Sequence, residues 1–263
     1  MVTEDENIQK EIMKKYAKII PEAVDKDISA PELAAEIQAY IKKVSGVKDP
    51  YKKLKENNLA MASAILEIVK NEIDDAEDPF LASLLMAAMG NSIDAGVSLN
   101  VEIEENIERA LKHSFTINDY QKFLNDINKA QNLLFIADNT GEALFDKLLL
   151  QKLKNYDLNI TYVVREVPIL NDLTKKEALE IGIDKYAEII SGVSKAPGML
   201  MQTASADFLE AYNKADIVLS KGQGNLECLY QEEENIYYLL KAKCELIAKI
   251  LDVEIGDFIF LYK

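Results

Sequence analysis

A change of rhythm near residue 130 constrains the fold of this chain more than any other feature. Beyond it, short apolar runs of strand length occur at Leu133–Ala137, Ile160–Val164, Glu188–Ser191, Asp216–Ser220 and Phe258–Tyr262. Stretches with helical periodicity separate them: Glu142–Lys154, Lys175–Ile181, Met199–Lys214 and one or two helices within Leu226–Leu251. Short apolar strands alternating with helices imply parallel crossover connections and a sheet covered on both faces. Residues 131–263 are therefore expected to form an α/β domain around a mostly parallel sheet.

Residues 1–130 read as an all-helical domain. Ile8, Ile12, Tyr16 and Ile19 recur at helical spacing. In "SAPELAAEIQAYIKKVSG", Ser29 and Glu32 have the spacing of a capping box, Leu33, Ile37, Tyr40, Ile41 and Val44 form an apolar face, and Gly46 is placed to end the helix. A further helix is expected through Leu54, Met61, Ile65, Ile68 and Ile73. "DPFLASLLMAAMGNSIDAG" is apolar nearly all round and predicts a buried helix. Its Asn91 and Asp94 share one face. They are either a buried polar pair satisfied by backbone or residues supporting a site shared with the second half.

At 263 residues and 49% hydrophobic, the chain can bury a sizeable core. No apolar run of about 18 residues occurs. The acidic start "MVTEDENIQKEIMKK" lacks a signal pattern, so a cytoplasmic protein is expected. A net charge of −15 argues against nucleic acid and anionic membrane as partners. Cys228 and Cys244 lack metal-ligand spacing and read as reduced, partly buried thiols. The single histidine, His113, lies among charges, which disfavours histidine-based catalysis.

Open parallel sheets bind ligands beyond the carboxyl ends of their strands. Asp138 and Asn139 follow the first candidate strand. Arg165, Asn171 and Asp172 follow the second, Ser191 and Gly192 the third, and Ser220, Lys221, Gly222, Gly224 and Asn225 the fourth. Thr174 and Glu177 form a second candidate capping box. Thr140 or Asn139, and Asn225, are candidate caps of their own helices. Each residue has a local alternative. Asp138 and Asn139 could be plain caps, Asp172 turn chemistry, Lys221 a solvated lysine and "KGQGN" a tight turn. Taken together, two carboxylates and a carboxamide oxygen suit a hard cation, while a lysine and glycine amides suit a phosphate.

"ADNTGEALFD", "PILNDLT", "SKGQGNLE" and "LLKAKCELIAKIL", with "DPYKKLK" and "MGNSIDAG" in the helical half, resemble the damage-control phosphatase family, formerly domain of unknown function eighty-nine. The likeness is to its archaeal and bacterial branch. It implies a Rossmann-like α/β domain joined to a helical domain, and a divalent-metal phosphatase acting on small phosphorylated metabolites such as sugar phosphates or damaged cofactors. It also implies one divalent cation, Mg²⁺ or Mn²⁺ with Ni²⁺ or Co²⁺ as alternatives, on Asp138, Asn139 and Asp172. By the same likeness Lys221 contacts phosphate and Glu142 is a site residue of unstated role. Relatives of this branch usually begin with a further short segment carrying a Cys-x-x-Cys pair, which this sequence does not contain.

The sequence-based expectation is therefore phosphomonoester hydrolysis. Asp138, Lys221 and Glu142 are the catalytic candidates. Arg165, Ser191, Gly192, Gly222, Gly224 and Asn225 are expected to bind substrate, with Asn91 and Asp94 behind them. Either water or Asp138 could be the nucleophile. A non-catalytic metabolite-binding protein using the same metal and phosphate groups is the main alternative. A methyltransferase ranks lower, because the Asp-Asn start does not resemble a Gly-rich first loop.

Overall fold

The computed structural model of the chain describes residues 3–26, 28–90, 114–193, 196–231 and 235–263. Asn91, Asp94, His113 and Lys195 lie outside them. The helical half contains α1 (Glu6–Asp25), α2 (Ala30–Ser45), α3 (Lys52–Asp75) and α4 (Pro79–Met89). The expected punctuation of α2 is present. Ser29 Oγ accepts from the Glu32 N–H, Glu32 reaches back to the Ser29 N–H (3.0 Å), and Gly46 ends the helix at φ +70°. α4 is capped by Asp78, whose Oδ1 accepts from Phe80 and Leu81. It is buried along nearly its whole length, as its apolar sequence requires.

The sheet has seven strands. They are β1 (Ile117–Asn118), β2 (Asn132–Ile136), β3 (Asn159–Arg165), β4 (Glu188–Val193), β5 (Ile217–Lys221), β6 (Ile236–Lys241) and β7 (Phe258–Tyr262). Their order is β1-β7-β6-β5-β2-β3-β4, and every pair is parallel except β6–β7. Between them run α5 (Tyr120–Ile127), α6 (Ala143–Leu153), α7 (Lys175–Glu180), α8 (Ala206–Lys214), α9 (Gln223–Leu229) and α10 (Glu245–Leu251). One face of the sheet packs Phe135, Tyr162, Leu219 and Tyr237 with residues of α4, α5 and α6. The other packs Leu134, Ile136, Val218 and Tyr238 with residues of α8, α9 and α10. α3 closes a third cluster against α4 and α6 through Ile65, Val69 and Ile73.

Three sequence expectations are corrected. Residues 226–251 are not helical throughout: β6 runs between α9 and α10, and its Ile-Tyr-Tyr-Leu-Leu run has the β-branched and aromatic content of a buried strand. The helix expected over Met199–Lys214 begins only at Ala206, where Ser205 caps it by accepting from the Phe208 N–H. The sheet also recruits chain from before residue 130, since β1 pairs with β7.

Candidate active site

The chain order sets the position of the site. From β2 it moves outward through β3 to β4, then returns to lay β5 on the other side of β2. The C-terminal ends of β2 and β5 are thus the topological switch point, where open α/β sheets form a crevice. Asp138 and Asn139 leave the end of β2. Gly222 leaves the end of β5. The turn after β3 brings Asp172 alongside.

Backbone bonds stitch the β2 and β3 turns together. Thr140 N donates to Asn171 O (2.8 Å), Leu173 N to Asp138 O (2.9 Å), and Asn139 bridges Asp172. Thr140 Oγ1 donates to Asp172 O (3.1 Å). Asn139 and Thr140 are therefore not helix caps. α6 starts only at Ala143, and Glu142 precedes it without capping it. Instead Glu142 folds back on the turn, its Oε1 accepting from Asn139 N (2.8 Å) and Nδ2 (3.1 Å). Asn139 Nδ2 also donates to Asp138 Oδ2 (2.9 Å). Both amide hydrogens thus face carboxylates, which turns Oδ1 away from them.

Under this turn lies a buried ion cluster. Lys221 is 0% exposed and donates to Glu142 Oε2 (3.0 Å) and Asp146 Oδ1 (2.7 Å). Tyr162 OH donates to the other oxygen of Asp146 (2.8 Å). Burial alone would lower the Lys221 pKa, but Asp146 and Glu142 outweigh it and raise it. Burial pushes the Asp146 carboxyl up to about 6 against the pull of Lys221. Asp138 is also raised, by burial and then by Glu142 and Asp172, with Arg165 and Lys243 opposing. Asp172 is raised by burial, offset in part by Arg165.

Several residues expected to contact ligand make internal bonds. Lys221 is not a solvated lysine, because two carboxylates hold it. Arg165 is 2% exposed, and its guanidinium is engaged by Asp172 (Nε, 2.7 Å) and Asn225 (Nη2, 2.9 Å). Asn225 sits inside α9 rather than capping it, and donates to Ala137 O (3.1 Å) and Lys221 O (2.8 Å), tying the ends of β2 and β5. The Gly222 amide donates to Leu239 O (3.1 Å), so it belongs to the sheet. What Gly222 supplies is space: at φ +79°, a Cβ would lie 2.0 Å from Asp138 Oδ2. Gly192 and Gly224 are glycines for packing, since a Cβ would meet Val163 Cγ1 at 2.2 Å and Pro197 O at 2.5 Å respectively. Ser191 is half-buried at the end of β4, its carbonyl accepting from Ser205 Oγ (3.0 Å). Both cysteines are half-buried free thiols.

Asp146 and Tyr162 were missed by the sequence reading. The available signal for Asp146 was an acid one helical turn after Glu142 in an otherwise leucine-rich helix. Lys243, exposed just beyond β6, went unremarked as well; its charge opposes the raised carboxyl of Asp138. Among the described residues, no three His, Cys, Asp or Glu side chains are grouped to hold a metal ion. The expected donor set of two aspartates and an asparagine amide differs from such a group in its third member.

A parallel sheet with acid-lined turns at its switch point defines a Rossmann-like protein with a sheet-edge site. The sequence model described as the damage-control phosphatase ARMT1-like domain matches residues 1–259. The chain is 34% identical to an uncharacterized protein of Methanocaldococcus jannaschii, covering 99% of this chain and 88% of that one. It is 32% identical to a damage-control phosphatase of Pyrococcus horikoshii (97% and 89%) and 29% identical to one of Archaeoglobus fulgidus (98% and 91%). A crystal structure of the Pyrococcus horikoshii DUF89 family protein superposes with a TM-score of 0.89 at 30% identity, over 99% of this chain and 92% of that one. The chain belongs to the damage-control phosphatase family.

Proposed function

We propose that this protein is a divalent-metal-dependent phosphatase that hydrolyses phosphomonoesters of small metabolites, such as sugar phosphates or damaged phosphorylated cofactors. Family membership supports the phosphatase class. The observation that carries the metal dependence is a charge imbalance. Among the described residues, the buried network gathers four carboxylates, Asp138, Glu142, Asp146 and Asp172, around two buried cations, Arg165 and Lys221. Burial and mutual repulsion raise Asp138 and Asp172, as expected of a site built to be completed by positive charge.

The donors fit a hard cation. Asp138, Asn139 and Asp172 would hold it, and once bound it would balance the excess negative charge and polarise a phosphoryl oxygen. The chain's own groups do the rest. Arg165 and Asn225 orient Asp172 from behind, and Glu142 fixes the Asn139 amide. Lys221 holds the Glu142 and Asp146 carboxylates together beneath the turn. Gly222 leaves room for the Asp138 carboxylate. Lys243, exposed just beyond β6 and near enough for its charge to act on Asp138, would supply cationic charge to a phosphate arriving at a strongly acidic protein.

The test is phosphate release from a panel of phosphorylated metabolites by chelator-treated protein, with Mg²⁺, Mn²⁺, Co²⁺ or Ni²⁺ restored singly. The expected result is turnover that depends on the added ion. Full turnover in excess chelator would remove the metal reading. Ion and metabolite binding without phosphate release from any substrate would favour a binding protein instead.

A further inference from the structure

One face of α3 backs both turns of the candidate site. Lys55, in the first turn of α3, is 1% exposed. Its ammonium lies 2.7 Å from Asp49 Oδ2 and 2.6 Å from Glu177 Oε1. Glu177 uses its other oxygen to accept from the backbone N–H of Thr174 (3.2 Å) and also bonds the Thr174 hydroxyl. Thr174 follows Asp172 by two residues and bridges Arg165 at the end of β3. One helical turn along α3 from Lys55 is Asn58. It packs so closely on the other turn that a Cβ on Gly141 would lie 3.0 Å from the Asn58 Cβ. Residues three apart share a helix face. The face that grips the Asp172 turn through Lys55 therefore also supports the Asn139–Glu142 turn through Asn58.

A buried lysine between two carboxylates gives little net stability over an apolar residue of similar size. The apolar packing of α3 on α4 and α6 is supplied elsewhere, by Ala62, Ile65, Val69 and Ile73. What the ion triad adds is a fixed direction. Glu177 is tied at one oxygen to Lys55 and at the other to Thr174, so the start of α7 cannot shift without breaking both.

We propose that Lys55 is a positioning residue: through Glu177 it clamps the Asp172 turn to α3, holding it in register with the Asp138–Glu142 turn so that both can converge on one cation. The inference rests on the metal-dependent reading above. Residues that orient metal ligands from behind typically change metal affinity or activity by about 10–100-fold when altered.

The experiment titrates metal-free protein with Mn²⁺ alone, following free Mn²⁺ by electron paramagnetic resonance, for the wild type, Lys55→Met, Lys55→Arg and the control Lys52→Met. Lys52 is exposed and pairs only at 3.8 Å with Glu56. The expected result is Mn²⁺ affinity about tenfold or more weaker in Lys55→Met, partial recovery in Lys55→Arg, and no change in Lys52→Met. In turnover assays Lys55→Met should lose kcat at a fixed sub-saturating Mn²⁺ concentration, with KM for the phosphoester little changed. Glu177→Gln keeps the bond to Thr174 and loses the charge facing Lys55. It should weaken Mn²⁺ in the same direction, and it carries the test if Lys55→Met does not fold. Wild-type affinity in folded Lys55→Met, or in Glu177→Gln where it stands in, overturns the clamp while leaving the metal reading intact. A wild-type protein that binds no Mn²⁺ removes the metal reading and the clamp together.

Discussion

Replacing Lys221 by methionine tests the buried ion cluster most directly. Methionine keeps most of the side-chain volume, so little cavity forms. The change instead leaves Glu142 and Asp146, 2% and 0% exposed, facing a neutral side chain. Removing one partner of a buried ion pair costs about 3–5 kcal/mol. In a chain of this size that corresponds to a fall in Tm on the order of 6–20 °C. The loss should also depend on pH, with a definite sign. In the wild type, burial already holds Asp146 up at about 6 while Lys221 pulls it down. Without Lys221 the carboxyl rises further above its unfolded value. The native variant then binds a proton more tightly than its unfolded chain, so its stability rises as pH falls toward the ordinary carboxylate range. Thermal unfolding of wild type, Lys221→Met and Lys221→Met/Asp146→Asn at pH 5 to 8 measures this. The double variant should recover part of the loss, because one stranded charge is gone. If Lys221→Met melts within about 2 °C of wild type at every pH, a shift worth under about 1 kcal/mol, Lys221 does not hold these carboxylates and the cluster has been misread.

Three further outcomes follow from the same geometry. Gly222→Ala places a methyl group 2.0 Å from Asp138 Oδ2 at φ +79°; phosphate release should drop at least tenfold while the fold persists, and near-normal turnover would show that Asp138 is not confined there. Asp146→Asn alone should remove one contribution to stability that falls as pH rises from 4 to 6, since the native carboxyl holds a proton that the unfolded chain has released; an unchanged slope in pH-dependent denaturant titrations would contradict the raised value. Lys243→Ala should raise KM for phosphoesters more than it lowers kcat, with the difference shrinking at high salt; an unchanged KM would show that Lys243 does not act on the incoming phosphate.

Local signals made part of this protein legible in advance. The capping box of Ser29 and Glu32 and the stop at Gly46 act within single turns, so they could be read directly. Five of the strands, and the placement of Asp138, Asn139, Asp172 and Gly222 just beyond their ends, were likewise visible as breaks in hydrophobic rhythm. β6 was not, because a short apolar run between helices reads equally well as buried helix; only its place between β5 and β7 makes it a strand.

The sequence by itself thus determined the segments and the chemical identity of the residues at the sheet edge, because propensity, capping and periodicity operate over a few neighbouring residues. Tertiary structure alone decided what those residues face. Lys221 meets Glu142 and Asp146 across 79 and 75 residues of chain, and Arg165 meets Asn225 across 60. Lys55 reaches Glu177 across 122. Such pairings depend on the strand order around β2 and on where α3 comes to rest. These are set by burying the whole core at once, and no local pattern carries that information.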